Sequence, residues 1–181
     1  DASSYAFRCL WRDTSSPWIL EGDIKGCFDN ISHSWLKNNI PTDSSILSQF
    51  LKSGFIFDDT FHNTDKGAPQ GSIISPLLAN MTLDGIEKLL NECFPKLKVH
   101  FIRYCDDFLV IVPSKEIADE VGEIIRDFLA IRGLELSAEK TVITHIDDGF
   151  DFLSWNFRKY KGKLLIKPSQ KSIKSITQSL K

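Results

Sequence analysis

No stretch of this sequence approaches the roughly 18 consecutive apolar residues that a membrane-spanning helix needs. A membrane partner is therefore not expected. No C-x-x-C pair occurs either. Cys9, Cys27, Cys93 and Cys105 stand apart, and no cysteine–histidine group has zinc spacing. A chain of 181 residues, 42% of them hydrophobic, is long enough to bury a core without disulfide staples. The cysteines read as reduced thiols, and the expected setting is intracellular, a bacterial cytoplasm or an organelle, not secreted. The opening Asp1-Ala2-Ser3-Ser4 offers neither a basic n-region nor an apolar h-region, so no secretory signal is read. An initiator methionine is also missing, and the chain reads as a piece of something longer. Internal repeats and low-complexity tracts are absent.

Acidic residues are missing from the last part of the chain. All 24 lie at or before Asp151, leaving that portion at net −10. From Phe152 onward there are only cations: Arg158, Lys159, Lys161, Lys163, Lys167, Lys171, Lys174 and Lys181, a net of +8. Such a tail is either a solvated face or a means of holding a polyanion beside an acidic body.

The residues that are present alternate between strand-like and helical patterns. Ala6, Phe7, Leu10 and Trp11 predict a helix over the first dozen residues. Trp18 to Ile24 reads as a short buried strand ending on an acid. Ser32 should cap a short helix through Trp35 and Leu36. Thr42 or Asp43 should cap another with Ile46, Leu47, Phe50 and Leu51 on one face, stopped by Gly54. Residues 55–66 suggest a weak hairpin, and Lys66 to Gly71 a loop. One longer helix is expected from Ser75 to Asn91. Val99–Tyr104 and Phe108–Val112 are strand-like runs joined by a tight turn. Ser114 should cap a helix bearing Ile117, Val121, Ile124, Ile125 and Phe128, closed by Gly133. Strands are expected over Thr141–Ile146, Phe152–Phe157 and Lys163–Ile166, and a basic helix from Ser169. The order implies an α+β fold: a small antiparallel sheet with helices packed on one face.

Three acids carry the chemistry. Asp106 and Asp107 sit at a hairpin tip between apolar strands. Like charges held together there are costly unless a cation neutralises them, although Asp also favours ordinary turns. Asp23 ends another apolar run. If those strands are neighbours, three carboxylates meet at one sheet end. Hard oxygen ligands of this kind suit Mg²⁺. A pair of such ions can activate a 3′-hydroxyl and stabilise leaving pyrophosphate in an in-line displacement. Asp147, Asp148 and Asp151 have no comparable setting and read as surface acids.

Five ordered blocks resemble the reverse transcriptases encoded by group II introns. Asp23-Ile24-Lys25-Gly26-Cys27-Phe28-Asp29-Asn30-Ile31 is similar to their first catalytic-aspartate motif. The stretch from Gly67-Ala68-Pro69-Gln70-Gly71 to Leu78-Ala79-Asn80 resembles the next block. Tyr104-Cys105-Asp106-Asp107 matches the Tyr-x-Asp-Asp box. Leu136-Ser137-Ala138-Glu139-Lys140-Thr141 and Phe152-Leu153-Ser154-Trp155 resemble the two that follow. Together they cover about residues 18–157.

The resemblance implies a right-handed polymerase palm and RNA-directed DNA synthesis. Asp23, Asp106 and Asp107 would hold two Mg²⁺ ions, with Mn²⁺ as a substitute, helped by the Ile24 carbonyl. Phe28 would lie under the incoming sugar as a steric gate; the rival role is core packing. Gln70 would touch the nucleotide. Lys140 would be a general acid or phosphate contact at the leaving pyrophosphate; the rival is an exposed lysine. Phe152, Leu153, Ser154 and Trp155 would grip the primer, or simply pack in the core. The implied partners are an RNA template (in this family the intron RNA), a DNA primer and deoxynucleoside triphosphates.

Two departures stand out. Cys105 fills a position that is usually Ala in the group II intron enzymes. No fingers blocks precede Trp18. The expected organisation is a palm over 1–157 with most of the fingers missing, then a basic segment over 158–181 that begins the thumb, or domain X. On that organisation the piece alone would be poorly active or inactive. Rival readings are a retron, diversity-generating or CRISPR-associated reverse transcriptase, and a maturase that binds intron RNA without polymerising.

Overall fold

In the computed structural model, residues 1–12, 16–62, 64–68 and 73–179 are described. Helix α1 (Ala2–Leu10) begins where the Asp1 side chain accepts a hydrogen bond from the Ser4 N–H. Strand β1 (Trp18–Asp23) leads into the short helices α2 (Cys27–Asn30) and α3 (His33–Asn39). Ser32 caps α3 by accepting from the Trp35 N–H, as expected. Asp43, rather than Thr42, caps α4 (Ser44–Leu51). A small hairpin follows, β2 (Phe55–Phe57) and β3 (Thr60–His62).

The single helix expected over Ser75–Asn91 is two helices, α5 (Ser75–Leu83) and α6 (Ile86–Cys93). Gly85 between them has φ +95°, a left-handed conformation that stops α5 and re-aims the chain. Strands β4 (His100–Tyr104) and β5 (Asp107–Val112) form the expected hairpin, and Ser114 caps α7 (Lys115–Ala130). Then come β6 (Val142–His145), β7 (Phe150–Phe152), β8 (Trp155–Tyr160), β9 (Lys163–Pro168) and α8 (Gln170–Ser179). The strand expected over Phe152–Phe157 is interrupted: Leu153 and Ser154 turn the chain between β7 and β8, both at positive φ.

The main sheet runs β4-β5-β1-β6 and is antiparallel throughout. Side-chain alternation sends Leu20, Phe108, Val110 and Val112 to one face, where α7 lays down Ala118, Val121, Ile125 and Leu129 beside the buried residues of α5 and α6. Gly22 makes room on this face: a Cβ there would lie 2.2 Å from the Phe108 ring. Ile19, Ile102, Leu109 and Ile111 point the other way, against Ala6 and Leu10 of α1 and Phe150, Phe152 and Phe157 of the second sheet, β7-β8-β9. The fold is therefore α+β, with the main helical layer on one face and a smaller layer of helix and sheet on the other. Coverage of both faces explains why Phe108 to Val112 are buried without a break. Each such apolar side chain contributes about 1.5–3 kcal/mol by leaving water. The last helix, α8, buries no residue.

Candidate active site

The sheet register places Asp23 directly opposite Asp107 on the two central strands. Two hydrogen bonds define the local geometry. The Asp23 carbonyl accepts from the Ser137 N–H at 2.8 Å, and the Lys25 N–H donates to the Glu135 carbonyl at 2.9 Å. The backbone polar groups of Asp23 thus point toward the 135–137 segment. Asp23 and Asp107 form a non-hydrogen-bonded pair, the type with the closer Cα atoms, about 4.5 Å apart. Ile24 bridges Leu136, and those flanking bonds leave its carbonyl turned to the other side, toward the Cys105–Asp106 turn. Cys105 holds φ +57°, so the turn depends on a left-handed residue that is neither Gly nor Asn.

Asp106 lies in that turn, beside Tyr104, which pairs with Asp107. Arg103 braces it by donating to the Cys105 carbonyl and to Asn80 Oδ1, both at 2.9 Å. The Asp107 carboxyl is held above its ordinary range, first by burial and then by the charges of Asp106 and Asp23, while Lys140 and Lys171 oppose the shift. Three negative charges therefore feel one another at this sheet end.

Lys140 reaches into the same place. Its ammonium donates to Asp23 Oδ2 at 2.9 Å. The Asp23 side chain is only 15% exposed, whereas Lys140 is 67% exposed, so an exposed cation covers a recessed anion. The pairing with Asp23 pushes the Lys140 pKa up. Among the described residues, no three His, Cys, Asp or Glu side chains are gathered closely enough to hold a metal ion. The backbone convergence expected from the sequence is present; a preformed metal cage is not. The donor set still fits a hard divalent cation: carboxylate oxygens whose mutual repulsion a positive charge relieves, and one of them already drawing an ammonium.

Phe28 is half-buried on α2 and packs against the core between the main sheet and its helical layer. The Gly67–Ala68 segment docks beside it. Ala68 N–H donates to the Phe28 carbonyl at 2.6 Å, and Gly67 N–H to the Ile31 carbonyl at 2.8 Å. Gly67 has φ +78°, and a Cβ there would meet the Phe28 carbonyl oxygen at 2.5 Å, so only glycine allows this approach. His33 Nε2 lies 2.6 Å from the Gly67 carbonyl, and Lys66 donates to Asn30 Oδ1 at 2.8 Å. Gln70, expected to touch the nucleotide, lies outside the described residues, as do Pro69, Gly71 and Ser72.

The expected primer-grip residues form a hairpin tip. Phe152 is buried between the main sheet and the β7-β8-β9 sheet, Leu153 is half-buried and Trp155 is exposed. Serines tie the tip to α8: the Ser154 carbonyl accepts from the Ser169 N–H at 2.9 Å and from the Ser172 hydroxyl at 3.2 Å. A cavity of about 680 Å³ opens between the tip, α8 and Asp107, with Asp151 and Lys171 on its wall.

Sequence reasoning missed several contributors. Asp151 is exposed, as expected of a surface acid, but it also borders the cavity, and its charge adds to the upward shift of Glu21. Glu21 has a pKa pushed up to about 7, first by burial, despite a hydrogen bond from Thr144. Period-two alternation from Asp23 would have put Glu21 on the same face. Arg103 carried a signal too, as a lone cation in an apolar strand run two residues before the turn. Asn30 and His33 carried none.

A central antiparallel sheet with acids at the ends of its inner strands, and helices layered on one face, defines a polymerase palm. The chain belongs to the reverse transcriptase (RNA-dependent DNA polymerase) family, whose sequence model matches residues 2–157. It is 29% identical to the group II intron-encoded protein LtrA of Lactococcus lactis subsp. cremoris, over 78% of this chain and 35% of LtrA. It is 28% identical to protein YkfC of Escherichia coli K12, over 78% of this chain and 47% of YkfC. The chain thus spans less than half the length of these curated relatives. Among solved structures, telomerase from Candida tropicalis in complex with a TWJ fragment of telomeric RNA superposes with a TM-score of 0.68 at 14% identity, covering 93% of this chain and 33% of that one. Telomerase from Candida albicans gives 0.62 at 17%, covering 93% and 32%. At that identity the telomerases speak for the fold alone. No helix among the described residues is long and apolar enough to cross a membrane.

Proposed function

We propose that this chain is the palm of a group II intron reverse transcriptase and supports RNA-templated DNA synthesis by two-metal nucleotidyl transfer. The observation that carries the reading is the register of Asp23 against Asp107, with Asp106 in the adjoining turn. Residues 1–157 would be the palm and 158–181 the start of the thumb. The protein that contains the chain would work inside the cell, on its intron RNA, and aid splicing and mobility.

Asp23, Asp106 and Asp107 would hold the divalent ions, with the Ile24 carbonyl turned toward the same place. When bound, Mg²⁺, or Mn²⁺ in its stead, supplies Lewis-acid activation of a primer hydroxyl and neutralises charge on the leaving pyrophosphate. Lys140 would bring a proton or a positive charge to that pyrophosphate once it lets go of Asp23. Phe28 offers a flat wall to the sugar. Gln70 would complete the nucleotide pocket from the loop that begins at Gly67. Phe152 to Trp155 would hold the primer end against the cavity beside Asp107, with Lys171 neutralising a phosphate. RNA template, DNA primer and deoxynucleoside triphosphates are the partners this reading requires.

A non-polymerising maturase is the rival, and all three acids argue against it. The test is extension of a DNA primer on an RNA template by the protein as encoded, with any flanking sequence. Template-dependent incorporation of deoxynucleotides supports the reading. Intron RNA binding without any incorporation contradicts it.

A further inference from the structure

A second cavity lies at the opposite end of the sheet. It measures about 530 Å³, and Tyr5, Arg8, Trp11, Arg12, Lys98 and His100 are among its lining residues. His100 pairs with Ile111, whereas Tyr104 pairs with Asp107, so four residues of β4 separate this place from the acids, roughly 14 Å.

The cavity follows from how α1 is seated. Ala6 and Leu10 press onto the sheet. Tyr5, Arg8 and Arg12 follow one another at helical spacing and share the neighbouring face. The loop before β4 supplies Lys98 and the first residue of the strand is His100, and the Ser16 hydroxyl donates to the Lys98 carbonyl at 3.5 Å. On the Arg12 side, the Lys159 ammonium donates to the Arg12 carbonyl at 2.7 Å and fixes that turn of chain.

Its chemistry is specific. The described lining holds three permanent cations and an imidazole, and no acidic side chain. The Arg8 guanidinium lies over the Tyr5 ring and that of Arg12 over Trp11, each 5.5 Å from the centroid. Tyr5 is nevertheless 37% exposed and Trp11 52% exposed. Neither Arg8 nor Lys98 forms an ion pair among the described residues. A merely solvated basic face needs no open aromatic rings. Cations interleaved with exposed flat rings suit a ligand that is itself anionic along one edge and flat along the other, which is single-stranded nucleic acid.

We propose that this cavity binds single-stranded RNA outside the catalytic end of the sheet, with bases stacking on Tyr5 and Trp11 and phosphates meeting Arg8, Arg12 and Lys98. An acidic protein segment would use the cations but leave the ring faces idle. The site does not depend on polymerisation, so its success or failure is separable from that of the catalytic reading.

The test is fluorescence anisotropy with a short labelled oligouridylate, titrated into the full chain at several salt concentrations. The paired variant Arg8→Gln with Lys98→Gln should weaken binding about ten-fold and lower the salt slope by roughly 0.7 for each phosphate contact removed. Trp11→Ala should weaken binding while leaving the slope unchanged, because a ring releases no counterions. Lys115→Gln, at the start of α7 on the other face of the sheet, should bind like the parent. Thermal melts identify any misfolded variant, and Lys98→Glu alone, on an exposed loop residue, replaces the pair if it misfolds. The proposal is overturned if affinity and slope are unchanged in folded variants. It is also overturned if only Lys171→Ala with Lys174→Ala weakens binding, or if oligoglutamate competes as well as the oligouridylate.

Discussion

The Lys140 ammonium donates to Asp23 Oδ2 at 2.9 Å, across 117 residues of chain. A cation of the protein's own thus rests on the carboxylate proposed to hold a metal. The two must compete. Lys140→Ala should therefore bind Mn²⁺ more tightly, read by calorimetry or by the loss of the free-ion paramagnetic signal. Its melting temperature should hardly move, because a lysine this exposed adds little to stability. Extension should nevertheless slow if the lysine serves the leaving group. Unchanged Mn²⁺ affinity in the variant would show that the pairing does not guard Asp23.

Glu21 gives the protein a pH signature. Its folded pKa is pushed up to about 7, first by burial, from an ordinary value of 4.5. The neutral acid is the form that the fold favours. Its contribution is thus complete below the unfolded value and is lost as pH rises through the folded one. Between about pH 4.5 and 7 the parent should lose on the order of 2 kcal/mol that Glu21→Gln keeps. Denaturant melts across that range decide it; parallel pH profiles for the two proteins would contradict the assignment.

Much of this was legible in the sequence because the apolar runs end on their acids. Trp18 to Asp23 and Phe108 to Val112 announced buried strands, and the short turn at Cys105–Asp106 could only be a hairpin. Other features left weaker traces. The break at Gly85 was masked because Leu83 and Ile86 continue a helical rhythm across it. The turn at Leu153–Ser154 is marked only by Ser154, with no Gly, Pro, Asn or Asp; its positive φ values are held by the serine contacts to α8 and by Phe152 in the core. The reach of Lys140 to Asp23 is a long-range side-chain choice that no periodicity records.

Gly67 should tolerate no side chain. Alanine there would combine a strained φ of +78° with a backbone oxygen at 2.5 Å. Gly67→Ala should cost about 2 kcal/mol or more and loosen the loop from α2. The check is a denaturant melt, together with the nucleotide KM of the active protein. A variant as stable as the parent, with normal KM, would refute the docking role.

Phe28 separates two roles by experiment. As a sugar gate, Phe28→Ala should raise ribonucleotide incorporation relative to deoxyribonucleotide, because the wall that excludes a 2′-hydroxyl is gone. As a core residue it should mainly lower stability, by less than the 3–5 kcal/mol typical of a fully buried Phe, since it is only half-buried. The ratio of kcat/KM for the two nucleotides, taken with a melt, distinguishes them. An unchanged ratio in a folded variant would remove the gate.

The central claim is that Asp23, Asp106 and Asp107 act together on one metal-dependent transfer. Its most direct measurement is primer extension on an RNA template by Asp23→Asn and Asp106→Asn, each in the protein as encoded, alongside RNA binding by the same preparations. Amides keep the shape of the side chains but lack the anionic oxygen that a hard cation needs. Both variants should lose extension essentially completely while binding RNA nearly as well as the parent. Near-normal extension by either variant would contradict the account.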